Sequence, residues 1–108
     1  MSTRRCLCIQ IQPDRDPSRS PEEALRVARA VFAGVRVEAA EDGGPYLNLL
    51  FVTDTPDALW TELTDRLFGD DALGAWMRSV SIATLEGEQG WDDYRLLWHW
   101  DSDEATER

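Results

Sequence analysis

The side chains here whose types and spacing could carry chemistry are two thiols, one imidazole and three adjacent pairs of carboxylates. Cys6 and Cys8 stand two apart, so on an extended strand they share a face with Cα atoms roughly 7 Å apart, at the edge of what a disulfide spans. A metal held by them needs two further donors, and the sequence has one histidine, His99, and no other cysteine. The two are read as sheet-face thiols, and their small number fits a reducing compartment. His99 sits between Trp98 and Trp100 with no nucleophile beside it by motif. A G-x-S-x-G elbow, an H-E-x-x-H pair and a phosphate-cradling glycine loop are all missing, and Gly43-Gly44 reads as a turn. Glu41-Asp42, Asp70-Asp71 and Asp92-Asp93 could hold a divalent cation or act as acid and base, but adjacent acids on turns are mostly solvated charge. The expectation is a non-enzyme with no metal and no cofactor.

The segment Glu86-Gly87-Glu88-Gln89-Gly90-Trp91-Asp92-Asp93-Tyr94 differs in kind, because it sets two aromatics among four acids on what reads as a glycine-flanked loop. Aromatic anchors ringed by charge are the composition of interface hot spots. Glu86, Glu88, Trp91, Asp92, Asp93 and Tyr94, with Asp70 and Asp71, are therefore the expected partner-binding residues.

Charge supports that expectation. Residues 1–36 carry seven Arg against four acids, and residues 37–108 carry four Arg against seventeen acids, so +3 and −13 make the net −10. A field of that sign repels nucleic acid and anionic membrane and steers basic partners.

The elements that must position these groups follow from periodicity. Arg5 to Gln12 alternates, Leu7, Ile9 and Ile11 against Cys6, Cys8 and Gln10, as a strand does. Ser20-Pro21-Glu22-Glu23 reads as a capping box opening a helix with Leu25, Ala28 and Phe32 on its apolar stripe and Gly34 as its stop. Val35 to Ala39 and Tyr46 to Thr53 read as a hairpin across the turn Glu41–Pro45, the second strand apolar on both faces. Thr55-Pro56-Asp57 opens a second helix with the stripe Leu59, Trp60, Leu63 and Leu67, and Asp70 could cap a further short helical piece. Ser79–Leu85 and Tyr94–Trp100 read as the last two strands, with Tyr94, Leu96, Trp98 and Trp100 on one face.

The implied plan is α+β and ferredoxin-like (split βαβ): an antiparallel sheet with two helices on one face and an extra C-terminal strand. Residues 1–100 are expected to form one domain and 101–108 an acidic tail. All eleven basic residues are Arg, which suggests a bacterial source, and no apolar run nears the roughly 20 residues that cross a bilayer, so a cytoplasmic location is expected. In charge and size the chain is similar to small acidic immunity-type proteins. The function expected is a small acidic protein-binding module that neutralises a basic protein partner: an immunity protein or antitoxin, or an inhibitor of a nucleic-acid-handling protein. The alternative is a homodimeric ferredoxin-like domain binding a small ligand or substrate between its sheets.

Overall fold

The N-terminal alternation becomes β1 (Arg5–Ile11), whose Leu7, Ile9 and Ile11 are fully buried while Cys6, Cys8 and Gln10 on the other face are half-buried. The computed structural model describes residues 4–39, 46–87 and 90–101, with backbone alone at 39 and 90–93. After β1 come α1 (Glu22–Val31), β2 (Arg36–Ala39), β3 (Leu47–Thr53), α2 (Pro56–Leu67), α3 (Ala72–Val80), β4 (Ser81–Gly87) and β5 (Gly90–His99). The chain is thus α+β, with one five-stranded sheet ordered β2-β3-β1-β4-β5 and every neighbouring pair antiparallel. It follows that β1 and β2 run parallel with β3 between them, and β3 and β4 run parallel with β1 between them. The connections that span these gaps are the helical ones.

Register builds the core. Leu7 lies between Phe51 and Leu85, and Ile9 between Leu49 and Ala83, so one face presents a continuous apolar surface. Onto it the helices lay Ala24 and Ala28, then Leu59, Leu63 and Leu67, then Leu73, Trp76 and Met77, all in one buried cluster. Three helices cover that face where two were expected. Among the described residues the opposite face carries none, which is why β3 buries Leu49, Phe51 and Thr53 but leaves Val52 39% exposed, although its composition suggests burial on both sides.

Several local expectations are corrected. Ser20 does not cap α1: Pro21 holds the N-cap position without a side-chain bond, and Glu23 is taken up by Arg19 at 2.8 Å. The helix leaves through Phe32 in extended backbone (φ −146°, ψ 97°), so Gly34 is not its stop. The cap of α3 is Asp71 rather than Asp70, its carboxylate accepting from Gly74 N at 2.8 Å. Ser79 and Val80 belong to α3, so β4 starts two residues later than its pattern suggested.

The β4–β5 hairpin holds the largest departure. Gly87 pairs with Gly90, so Trp91–Tyr94 lie within β5 rather than on a loop. Further along, Leu96 faces Thr84 while Trp98 faces Ala83, leaving Leu97 as an inserted residue. This bulge breaks the expected alternation. Trp98 turns under the helices, packs against Phe68 at 6.2 Å and donates Nε1–H to Arg78 O, whereas Leu96 stays on the open face. The Glu41–Pro45 turn, Glu88 and the tail from residue 102 lie outside the described residues.

Candidate functional site

The charge gathers on α2. Its start is set by Thr55 at the N-cap and Pro56 in the first turn, and its stripe Leu59, Leu63 and Leu67 faces the core. Asp57, Thr61 and Asp65 recur every four residues on the other side and are exposed. With the flanking turns, residues 54–71 hold six exposed acids (Asp54, Asp57, Glu62, Asp65, Asp70 and Asp71) against one base, Arg66. Arg66 sits 3.7 Å from Glu62 with both side chains about half exposed (50% and 53%), a pair worth little and readily exchanged. By contrast α1 and the turn before it carry Arg19, Arg26 and Arg29 against Glu22 and Glu23.

Beside this ridge runs a groove. Pro56, Asp57, Trp60 and Thr61 of α2 face Leu85, Arg95 and Leu97 across a cleft of about 330 Å³. Its wall is an aromatic row, in which Trp60 packs against Phe68 at 5.5 Å with the rings tilted by 58°, and Phe68 in turn against Trp98. Arg78 completes the support by donating to the carbonyls of Phe68 and Gly69, just past the C-terminal end of α2. A half-buried tryptophan in a groove beside an acidic helix has the make-up of a protein-docking surface.

Of the expected partner-binding residues, two adjoin this helix. Asp70 and Asp71 are exposed at its C-terminal end. Phe68, two residues before them, packs near the start of β4, whereas Gly87 and Gly90 close the far end, about 13 Å along the strand at 3.3 Å per residue. The two halves of the expected surface are therefore not adjacent. Next to Asp70 and Asp71 stand instead the exposed acids of α2, a helix whose sequence pattern is dominated by its core stripe. Tyr94 is 56% exposed on β5. Glu86 is half-buried on the open sheet face, accepting from Cys6 N at 2.9 Å. The side chains of Trp91, Asp92 and Asp93, and all of Glu88, lie outside the described residues.

No protein family, curated protein or solved structure matches this chain. The site therefore rests on its own geometry.

Two other places bring reactive types together. On the open face, Cys6 and Cys8 border a shallow depression of about 550 Å³ with Arg36, Asn48, Leu50 and Thr84. Burial pushes the Cys8 thiol up from the ordinary 9.0 to about 11, with Cys6 and Glu38 adding to the rise; burial and then Glu86 raise Cys6 as well. Both are protonated at neutral pH and so are poor nucleophiles and poor metal ligands. Among the described residues no group of three or more His, Cys, Asp and Glu could hold a metal ion. Because the folded value of Cys8 is raised, the stability it contributes is fully present below pH 9.0 and is lost as pH climbs through about 11. In the native protein Cys8 is expected to alkylate with iodoacetamide at pH 8 roughly a hundredfold more slowly than in the denatured chain. Site-resolved mass spectrometry reads this directly, and equal rates would show the thiol to be solvated.

At the sheet end, Arg15 Nε donates to Gln12 Oε1 at 2.9 Å and its guanidinium lies 3.1 Å from the Trp100 ring centroid. Gln12 in turn donates to Gln10 at 2.8 Å, and His99 Nδ1 accepts from Asp101 N at 3.0 Å. The imidazole is thus spent on the backbone that turns the chain out of β5.

Proposed function

We propose that this chain is a small acidic protein-binding module that docks a basic protein partner on the α2 ridge and neutralises it, as an immunity protein or antitoxin does, or an inhibitor of a nucleic-acid-handling protein. The observation that carries the proposal is the six-to-one excess of exposed acids over residues 54–71, laid beside the groove that holds Trp60. Carboxylates on a fixed helix attract a basic surface at long range, and Trp60 offers apolar area once contact is made. Among the described residues no helix is long and apolar enough to cross a membrane.

We also read the sheet as the split βαβ plan extended by β5 and by the short helix α3. In support, β1 and β2 flank β3, β3 and β4 flank β1, and the helical connections lie on one face.

The test is affinity capture from a lysate of the source cells with three baits: the wild type, the pair Asp65→Lys/Asp70→Lys, and a control of equal charge change away from α2, Asp14→Lys/Glu22→Lys. The expected result is a near-stoichiometric basic protein on the first and third baits and a loss of at least tenfold on the second. Equal capture by all three would remove α2 from the interface.

A further inference from the structure

We propose that the cleft between α2 and β5 binds a small zwitterion of the α-amino-acid class with an apolar side chain. Its two walls carry opposite charges, Asp57 on α2 and Arg95 on β5, with Trp60, Leu85 and Leu97 lining the space between. Both charged residues are exposed, and neither the carboxylate nor the guanidinium enters an ion pair or hydrogen bond among the described residues. An acid and a base that face each other across a cleft and stay unpaired are both satisfied by a ligand that brings one charge of each sign.

The sheet departs from regular pairing to form its wall. β5 leaves register with β4 twice, between Leu85 and Gly87 and between Ala83 and Thr84, and Arg95 and Leu97 stand at these two places. Bulges re-aim side chains and gather next to functional sites. Here the second one brings Leu97 to the helical side, where it lines the cleft with Trp60.

Size and polarity narrow the ligand. About 330 Å³ lies at the small end of the range for ligand pockets, which suits a molecule the size of an amino acid. The Thr61 hydroxyl donates its proton to Asp57 O at 3.0 Å, so the Asp57 carboxylate and the Arg95 guanidinium are the charged groups left to hold a ligand. A simple anion is repelled by the acids of residues 54–71, and a simple cation leaves Arg95 unmet. A zwitterion is neutral overall: its ammonium goes to Asp57, its carboxylate to the guanidinium fork, and its side chain to Trp60 and Leu97. The cleft shares Trp60 and Asp57 with the docking surface proposed above, but its test needs no partner, so the two readings stand or fall separately.

Amide-resolved nuclear magnetic resonance of the full chain, titrated with L-leucine, L-methionine and L-phenylalanine, tests the inference. At least one is expected to shift the Trp60 indole and the Thr61 and Leu97 amide signals saturably, with half-saturation below about 1 mM. Its N-acetyl derivative, which lacks the ammonium, and its amide, which lacks the carboxylate, are each expected to bind at least tenfold more weakly. Asp57→Asn and Arg95→Gln are expected to lose the same factor. Each should also lose its own discrimination: Asp57→Asn should bind the free and N-acetylated forms alike, and Arg95→Gln the free form and the amide alike, a pattern that misfolding cannot imitate. No saturable shift from any of the three up to about 10 mM would overturn the proposal. Equal binding of the derivatives to the wild type, or full affinity in either variant, would overturn it as well.

Discussion

Gly74→Ala is expected to destabilise the protein by about 3 kcal/mol or more, beyond the usual range for a single methyl. A Cβ at position 74 would meet Gly69 O at 2.0 Å and Gly69 N at 2.5 Å. Both are backbone atoms, so no side chain can swing aside. To make room the turn between α2 and α3 must open, which pulls Gly74 N from Asp71 and loosens the carbonyls of Phe68 and Gly69 that Arg78 holds. Urea unfolding checks this. With a slope of about 2 kcal/mol/M for a chain of this size, the midpoint should fall by about 1.5 M with the slope unchanged. A midpoint within about 0.3 M of wild type would show that α3 does not pack against Gly69 as described.

Trp76→Ala is expected to cost about 3–5 kcal/mol, because the indole is 3% exposed in the core and its removal leaves a cavity. The indole also donates Nε1–H to Asp16 O at 2.7 Å, tying α3 to the connection after β1 across sixty residues of chain. Trp76→Phe separates the two effects. It keeps most of the apolar volume and should cost about 1–2 kcal/mol, chiefly for the unmet carbonyl. Since domains of this size have only about 5–15 kcal/mol in hand, the alanine variant should melt near working temperature. Thermal unfolding distinguishes the outcomes, and equal losses from both substitutions would mean the hydrogen bond rather than packing dominates.

How far the fold could be read from the sequence follows the strength of each local signal. The alternation of β1 is legible because one face must be wholly apolar where helices cover it, and Leu7, Ile9 and Ile11 are all at zero exposure. The start of α2 is legible because a Pro ahead of a helical stripe fits only its first turn. The capping box at Ser20 misled because its Glu23 found a stronger partner in Arg19, a competition that local pattern does not contain. In β5 the alternation Tyr94, Leu96, Trp98, Trp100 was real in the sequence but yielded to the bulge at Leu97, which lets both Leu97 and Trp98 reach the helical side. Tertiary packing decided there, as it also did where α3 absorbed Ser79 and Val80.

The candidate site was half legible. Asp70 and Asp71 stand out by charge, but the ridge they close does not, because the apolar stripe dominates the pattern of α2. The signal was present in Asp57, Thr61 and Asp65, which mark the opposite side of the same helix at a spacing of four. Nothing in the local sequence shows that this side lies beside β5 with Trp60 in the groove between them. That requires the strand order, which sets β4 and β5 on the α2 side of β1.

The measurement that bears most directly on the acidic ridge is the association rate with the captured partner as a function of salt, for wild type and for Asp65→Lys/Asp70→Lys. If the ridge steers a basic surface, the wild-type rate should fall at least tenfold between about 10 mM and about 500 mM salt, while the charge-reversed protein starts lower and changes little. Parallel salt curves for the two proteins would contradict the account, because the attraction would then arise somewhere other than α2.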